Sequence, residues 1–90
     1  MQFEWDRRKA DANLAKHGVS FEEAATALAD GHSVTGADPE HSVGESRFIT
    51  GGMSTAGRLL VVSHMEKGEV LRIISARPAS KRERRIYEEG

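Results

Sequence analysis

Residues 58–65 (RLLVVSHM) are the strongest strand signal in the chain, and this run constrains the fold more than any other stretch. Its leucines and β-branched valines favour an extended conformation. The turn sequence Glu66-Lys67-Gly68 follows directly, and residues 69–76 (EVLRIISA) are again apolar and β-branched. The two runs are therefore predicted to pair as an antiparallel hairpin at the centre of a sheet.

The register of this hairpin decides which side chains share a face, because a shift of one residue moves every side chain of a strand to the other face of the sheet. A two-residue turn at Lys67-Gly68 would place Arg58 opposite Arg77. A type I turn at Glu66-Lys67, with Gly68 as a bulge, would place Arg58 opposite Ala76. We favour the second, because only glycine then needs a positive φ. It predicts one apolar face toward the helices, formed by Leu59, Val61, Met65, Leu71 and Ile73, and one open face, which carries Arg58, His64 and Arg72.

The rest of the chain completes a β-α-α-β-β-β-β-α order. The predicted strands are residues 2–5, 32–35 (weak), 45–51, 58–65 and 69–76, and the predicted helices are residues 7–17, 21–30 and 80–89. We therefore expect one α+β domain over residues 1–90, with a small, mostly antiparallel sheet, a helical hairpin on one face and a C-terminal helix. The meander order of the later strands favours helices packed on a single face.

Local signals mark the helix ends. Asp6 is a good N-cap and Gly18 a typical residue after a helix C-terminus. The pairs Ser20/Glu23 and Ser80/Glu83 have capping-box spacing, so both glutamates are interpreted first as capping residues. Ala10 and Leu14 share one stripe of the first helix and are predicted to face the core.

Composition excludes several functional classes. The chain has no cysteine, which excludes disulfides and thiolate chemistry, and it has no apolar run near the roughly 20 residues of a membrane span. Its charged N-terminus does not resemble a secretory signal, so a cytoplasmic protein is expected. The net charge is only −1, yet no Lys or Arg lies between His17 and Ser46, whereas nine basic and five acidic residues follow from Arg47 onward. This asymmetry indicates a surface that faces a polyanion.

Several blocks, in order along the chain, resemble the BrnT toxin family. They are Phe3-Glu4-Trp5-Asp6, Asn13-Leu14-x-Lys16-His17-Gly18-Val19-x-Phe21-x-x-Ala24, His41-Ser42-x-x-Glu45-x-Arg47-Phe48, Gly57-Arg58-Leu59-Leu60-Val61-Val62 and Arg72-Ile73-Ile74-Ser75-Ala76-Arg77-x-Ala79-x-x-x-Glu83. The resemblance implies a RelE-like fold and a ribonuclease toxin of a type II toxin–antitoxin system. It also implies neutralisation by a BrnA-type ribbon-helix-helix antitoxin, in a heterotetramer that binds operator DNA through the antitoxin.

Cleavage of RNA by its own 2′-hydroxyl needs a base, a proton donor for the leaving oxygen and cations for the phosphorane. Arginine suits the phosphate and histidine titrates near neutrality. This route needs no metal or cofactor, and no tight carboxylate cluster suggests one. The predicted catalytic residues are Arg58, His64, Arg72, Arg77 and Glu45. The predicted RNA-binding residues are Arg47, Lys81, Arg84 and Tyr87.

A second interpretation needs no catalysis. A single His or Arg on a strand is usually solvated or part of a structural ion pair, and the helix arginines can pair with Glu88 and Glu89 at the surface. The chain would then be an interaction module that binds an acidic partner or nucleic acid through its basic C-terminal surface.

Overall fold

The predicted element order is confirmed by a computed structural model, which describes residues 1–38 and 46–90 of the chain. The strands are β1 (Gln2–Glu4), β2 (Val34–Ala37), β3 (Arg47–Met53), β4 (Leu59–Lys67) and β5 (Val70–Pro78), and the helices are α1 (Arg7–His17), α2 (Phe21–Leu28) and α3 (Lys81–Glu89). The expected α+β class is therefore correct, and most element ends differ from prediction by one or two residues.

The five strands form a mixed sheet in the order β1-β5-β4-β3-β2. The expectation of a mostly antiparallel sheet is corrected by β1, which pairs with β5 in parallel, with Phe3 opposite Leu71. The other three pairings are antiparallel. A parallel pair is possible because no hairpin joins β1 to β5: two helices and three strands separate them along the chain.

The ends of α1 are those that the sequence predicts. The Asp6 carboxylate accepts hydrogen bonds from the backbone N–H groups of Arg8 and Lys9, and Gly18 takes the left-handed conformation with φ of 69°. At the start of α2, Ser20 Oγ accepts a bond from Glu23 N–H at 3.0 Å. The Glu23 carboxylate, however, bonds elsewhere, so only half of the predicted capping box is made.

The α1–α2 hairpin covers one face of the sheet, here called the hairpin face. The buried core between them contains Val19, Phe21, Ala24, Ala27, Leu60, Val62, Leu71, Ile73 and Ala76. The close approach of α2 to β3 requires glycine at position 52, because a Cβ there would overlap the carbonyl of Ala27. Leu14, predicted to be buried, is 50% exposed, and its neighbour Asn13 is buried instead.

Neither predicted register of the β4–β5 hairpin is correct. The turn residues are Gly68 and Glu69, with Lys67 paired to Val70, and Gly68 takes a φ of 62°. Glycine thus supplies the positive φ at the first loop position, and Lys67 stays in the strand. Ile74 is an additional residue in β5, because the pairing shifts between Ser63 opposite Ser75 and His64 opposite Ile73.

This register inverts the predicted facing of β4 and keeps that of β5. Leu60, Val62 and His64 point to the hairpin face, whereas Leu59, Val61 and Met65 point to the opposite one. In β5, Leu71 and Ile73 point to the hairpin face and Arg72 points away, as predicted. The predicted open face with Arg58, His64 and Arg72 together is therefore wrong.

Helix α3 lies on the opposite face of the sheet, so the helices do not all pack on one face. Ile86 and Tyr87 of α3 stand over Gly51 and Val61. A complete capping box at Ser80 and Glu83 begins the helix, as predicted. The sheet face opposite the hairpin, of which α3 covers one end, is called the open face below.

Candidate functional site

A row of paired residues crosses the open face through four strands. Arg47 of β3 is opposite Met65 of β4, Met65 is opposite Arg72 of β5, and Arg72 is opposite Glu4 of β1. Because neighbouring strands are about 4.8 Å apart, the backbones of the two arginines are about 10 Å apart. The sheet thus places two of the predicted residues, Arg47 and Arg72, on one face and in one row.

Arg72 has a single acidic neighbour among the described residues. Its Nη1 is 3.5 Å from Glu4 Oε1, and the two side chains are 42% and 52% exposed. Such an exposed ion pair is weak and is screened by salt, so the guanidinium can exchange its partner for a phosphate. Glu4, which sequence reasoning did not single out, is the carboxylate that this arrangement adds to the candidate site.

Arg77 lies on the same face, opposite Val61, five residues further along β5. Its two terminal nitrogens donate to the two carboxylate oxygens of Glu83, each at 2.8 Å. The bidentate pair lowers the pKa of Glu83 to about 2, chiefly through the hydrogen bonds from Arg77. Glu83 thus has two roles, because the same carboxylate also accepts from Ser80 N–H in the capping box.

The basic side chains of α3 stand beside this face. Lys81 and Arg84, both predicted to bind RNA, are exposed, and so are Arg82 and Arg85. Tyr87, also predicted, is half-buried, and its hydroxyl donates to Asp30 Oδ2 at 2.5 Å. This bond, with those from Met53 N–H and His32 N–H, lowers the pKa of Asp30 to about 2. The C-terminal end of α3 is in this way tied to the turn after α2.

Arg58 is separated from the other arginines, at the start of β4 and on the hairpin side. Its Nε and Nη2 donate to the two carboxylate oxygens of Glu23, at 2.9 Å and 2.5 Å, and Nη2 also donates to the Gly18 carbonyl. The hydrogen bonds from Arg58 lower the pKa of the Glu23 carboxyl. The capping interpretation of Glu23 is thus incomplete, since its carboxylate joins α2 to β4.

His64 is 1% exposed, on the hairpin face. Its Nε2 is 2.7 Å from Thr50 Oγ1, which is in turn 2.7 Å from Thr35 Oγ1, and its ring stacks on Phe48. Nδ1 has no hydrogen-bond partner among the described residues. Burial lowers the pKa of His64, so the imidazole is neutral near pH 7. The placement of His64 on an open face is therefore wrong.

Glu45, a predicted catalytic residue, lies outside the described residues, as does His41. The described parts of the chain contain no group of three His, Cys, Asp or Glu side chains that could hold a metal ion. Within the same ranges, no helix is long and apolar enough to cross a membrane.

Asn13 is the residue whose role the sequence did not indicate. Its side-chain amide donates to the carbonyls of Val19 and Ala76 and accepts from Ala76 N–H, at 2.8–3.0 Å. It thereby satisfies the backbone hydrogen-bonding groups of Ala76, at the edge of β5 beyond the end of β1 and just before Arg77. The only available signal was its position in the Asn13–Val19 block, where an asparagine in mid-helix is locally unfavourable.

Comparison with known proteins identifies a family and a similar solved structure. A sequence model of the family described as "Ribonuclease toxin, BrnT, of type II toxin-antitoxin system" matches residues 5–83. The crystal structure of the Brucella abortus ribonuclease toxin BrnT is similar to this fold, with a TM-score of 0.69 and 26% identity over 90% of this chain and 99% of that one. No functionally curated protein matches significantly.

Proposed function

We infer that this chain, which belongs to the BrnT family of ribonuclease toxins of type II toxin–antitoxin systems, cleaves RNA as an endoribonuclease and thereby inhibits translation. The observation that carries this proposal is the placement of Arg47, Arg72 and Arg77 on one open face of the sheet. Beside them stand the exposed basic residues of α3. Arginine is the side chain best suited to bind phosphate in a fixed geometry.

In this proposal the open face binds the RNA backbone around the bond that is cut. Arg47 and Arg72 hold neighbouring phosphates, and Lys81 and Arg84 extend the contact along α3. Arg77 gives up one or both of its hydrogen bonds to Glu83 and stabilises the negative charge of the phosphorane instead. The 2′-hydroxyl of the RNA is the nucleophile, which needs no metal. Glu45 stays a predicted acid or base, and Glu4 is an additional carboxylate beside Arg72.

His64 and Arg58 receive different roles from those first predicted. A side chain that is 1% exposed does not reach RNA bound on the other face of the sheet, so we assign His64 to the core. Arg58 is tied to Glu23 and Gly18 on the hairpin side. Its contribution to catalysis stays a prediction, and its evident role is to fix the start of β4.

The family also implies a partner. We propose that a BrnA-type ribbon-helix-helix antitoxin neutralises the toxin in the cytoplasm, in a heterotetramer that binds operator DNA through the antitoxin. A RelE-like classification of the fold is part of the same proposal, and a five-stranded sheet with a helical hairpin is compatible with it.

The test is RNA cleavage by purified protein in EDTA. We expect products ending in 2′,3′-cyclic phosphate from the wild type and at least about a hundredfold slower cleavage by the Arg72→Ala/Arg77→Ala protein. Arg8→Ala removes an exposed arginine from α1 and is the matched control, with unchanged cleavage. The second test is expression of the wild type and the double variant in cells. Equal growth arrest by the two proteins would refute the assignment.

One observation favours the interaction module as a second candidate. The described part of the open face carries no histidine, and its one carboxylate beside the row of arginines, Glu4, pairs with Arg72. A non-catalytic protein would bind the same RNA in the EDTA experiment and release no product.

A further inference from the structure

A groove separates α3 from the β2–β3 end of the open face. Its volume is about 220 Å³, and its lining includes Val34, Gly36, Gly51, Glu83 and Ile86. Gly36 and Gly51 form part of its floor, and a Cβ built on either meets nothing within 4 Å. The two glycines thus leave open space into which a side chain from another molecule can enter.

The rim of the groove is apolar and exposed. Ile86 of α3 is 55% exposed and Val34 of β2 is 38% exposed, and both line the groove. They are two of the four large hydrophobic side chains that are exposed among the described residues. Exposed apolar side chains grouped around a surface groove are one of the features that protein-binding sites share.

Two exposed arginines of α3 flank the groove. Arg82 precedes Ile86 by four residues, so both lie on one stripe of α3, and Arg85 is adjacent in sequence. Both arginines are exposed. The one carboxylate that lines the groove, Glu83, is already paired with Arg77. A partner with both apolar and acidic side chains therefore complements the groove and its flank.

The adjoining sheet edge has no charge of its own. β2 is the outermost strand, and its four residues, Val34–Ala37, are exposed, uncharged and free of proline. Edge strands that must avoid pairing usually carry lysine, proline or a bulge. An extended segment can therefore lie along β2 and place its side chains in the groove.

From these features we propose that the groove is the docking site of the antitoxin, which inserts an apolar side chain over Gly36 and Gly51 and presents carboxylates to Arg82 and Arg85. This rests on the proposed function, because it supposes the partner of a toxin–antitoxin pair. A segment bound there extends over the open face from its β2 end. It thereby obstructs RNA that would contact Arg47 and Arg77, so the toxin is neutralised by exclusion of its substrate.

The experiment compares Gly51→Val and Ile86→Asp with the wild type, using the full chain and the purified product of the adjacent antitoxin reading frame. A Cβ at position 51 meets no protein atom within 4 Å, and Ile86→Asp changes an exposed residue, so Gly51→Val and Ile86→Asp are both expected to keep the wild-type melting temperature. Gly31→Ala is the matched control, since its Cβ also enters open space but outside the groove.

We expect both variants to bind the antitoxin on the order of tenfold more weakly, while RNA cleavage without antitoxin stays within about twofold of wild type. The control should change neither. Unchanged antitoxin affinity would overturn the docking site even where the wild type cleaves RNA. Lost cleavage in a folded groove variant would instead assign the groove to RNA. Failure of the wild type to cleave RNA would refute the enzyme but leave the affinity comparison readable.

Discussion

The side-chain amide of Asn13 binds both backbone groups of Ala76, accepting from its N–H at 3.0 Å and donating to its carbonyl at 2.8 Å. β1 ends beside Arg72, so beyond it no strand of residues 1–38 or 46–90 pairs with this edge of β5. An amide has one acceptor and one donor side, which matches the two groups that a strand residue presents in the same direction. Asn13, a residue of α1, thereby takes the place of a neighbouring strand at Ala76, the residue before Arg77.

Replacing Asn13 with alanine should destabilise the protein. The change leaves a buried N–H and two buried carbonyls without their partner, and we expect a loss of about 3 kcal/mol in the free energy of unfolding. Asp11→Ala, an exposed change in the same helix, should stay within about 0.5 kcal/mol. Urea denaturation measures both. Equal stability of the two variants would mean that water or another group satisfies Ala76.

Gly52→Ala should be destabilising although Gly51→Ala is not. A Cβ on residue 52 overlaps the Ala27 carbonyl of α2, whereas one on residue 51 meets nothing within 4 Å. Because backbone rather than a flexible side chain must move, we expect a cost of about 2–3 kcal/mol at position 52. Thermal melting of the two single variants provides the comparison, and similar melting temperatures would contradict the packing of α2 on β3.

His64 should make the wild type sensitive to mild acid. The pKa of His64 in the folded state is lowered by burial from 6.5, so below that pH the unfolded chain binds a proton that the native core does not. The contribution of the neutral imidazole to stability is thus fully present above pH 6.5. Below that pH the free energy of unfolding decreases as the pH decreases, by up to about 1.4 kcal/mol per pH unit for one such group. His64→Gln can keep a bond to Thr50 and does not titrate. Its melting temperature should fall less than that of the wild type from pH 7 to about pH 5, and parallel curves would refute this account.

Glu83→Gln should strengthen the binding of RNA. The carboxylate holds Arg77 through two hydrogen bonds, and a phosphate must compete with it. Glutamine can still accept from Ser80 N–H in the cap but carries no charge. We expect about fivefold tighter binding of a short, uncleavable 2′-deoxy strand, with a steeper salt dependence. Unchanged affinity would indicate that Arg77 stays on position 83 when RNA is bound. Glu88→Gln, at the other end of α3, is the control for the charge change alone.

Local sequence signals predicted the local structure well. Asp6 and Gly18 mark the ends of α1, and Ser80 with Glu83 begins α3, because a capping bond joins groups only two to four residues apart. The facing of Leu71, Arg72 and Ile73 was also predictable, since alternation within one strand separates polar from apolar side chains. The element order followed from the same information, and the family blocks indicated the toxin family.

The candidate site was only partly predictable. Arg72 and Arg77 are on the open face, but His64 is buried and Arg58 is bound on the hairpin side. Both errors arise because the observed pairing of β4 with β5 differs from the predicted one. The turn chemistry favoured Gly68 as a bulge, but Gly68 fits the first position of the observed two-residue turn equally well, so the turn sequence alone did not determine the register.

The sequence by itself thus determined which segments are helix or strand, where the helices begin, and which family the chain resembles. Only the tertiary structure decided the faces of β4, the parallel entry of β1, and the partners of Arg58 and His64. The physical reason is range. A cap or an alternating pattern is satisfied within a few residues. Register depends instead on distant groups that fit together at once, such as Asn13 on Ala76, Thr50 on His64 and the α2 carbonyl over Gly52.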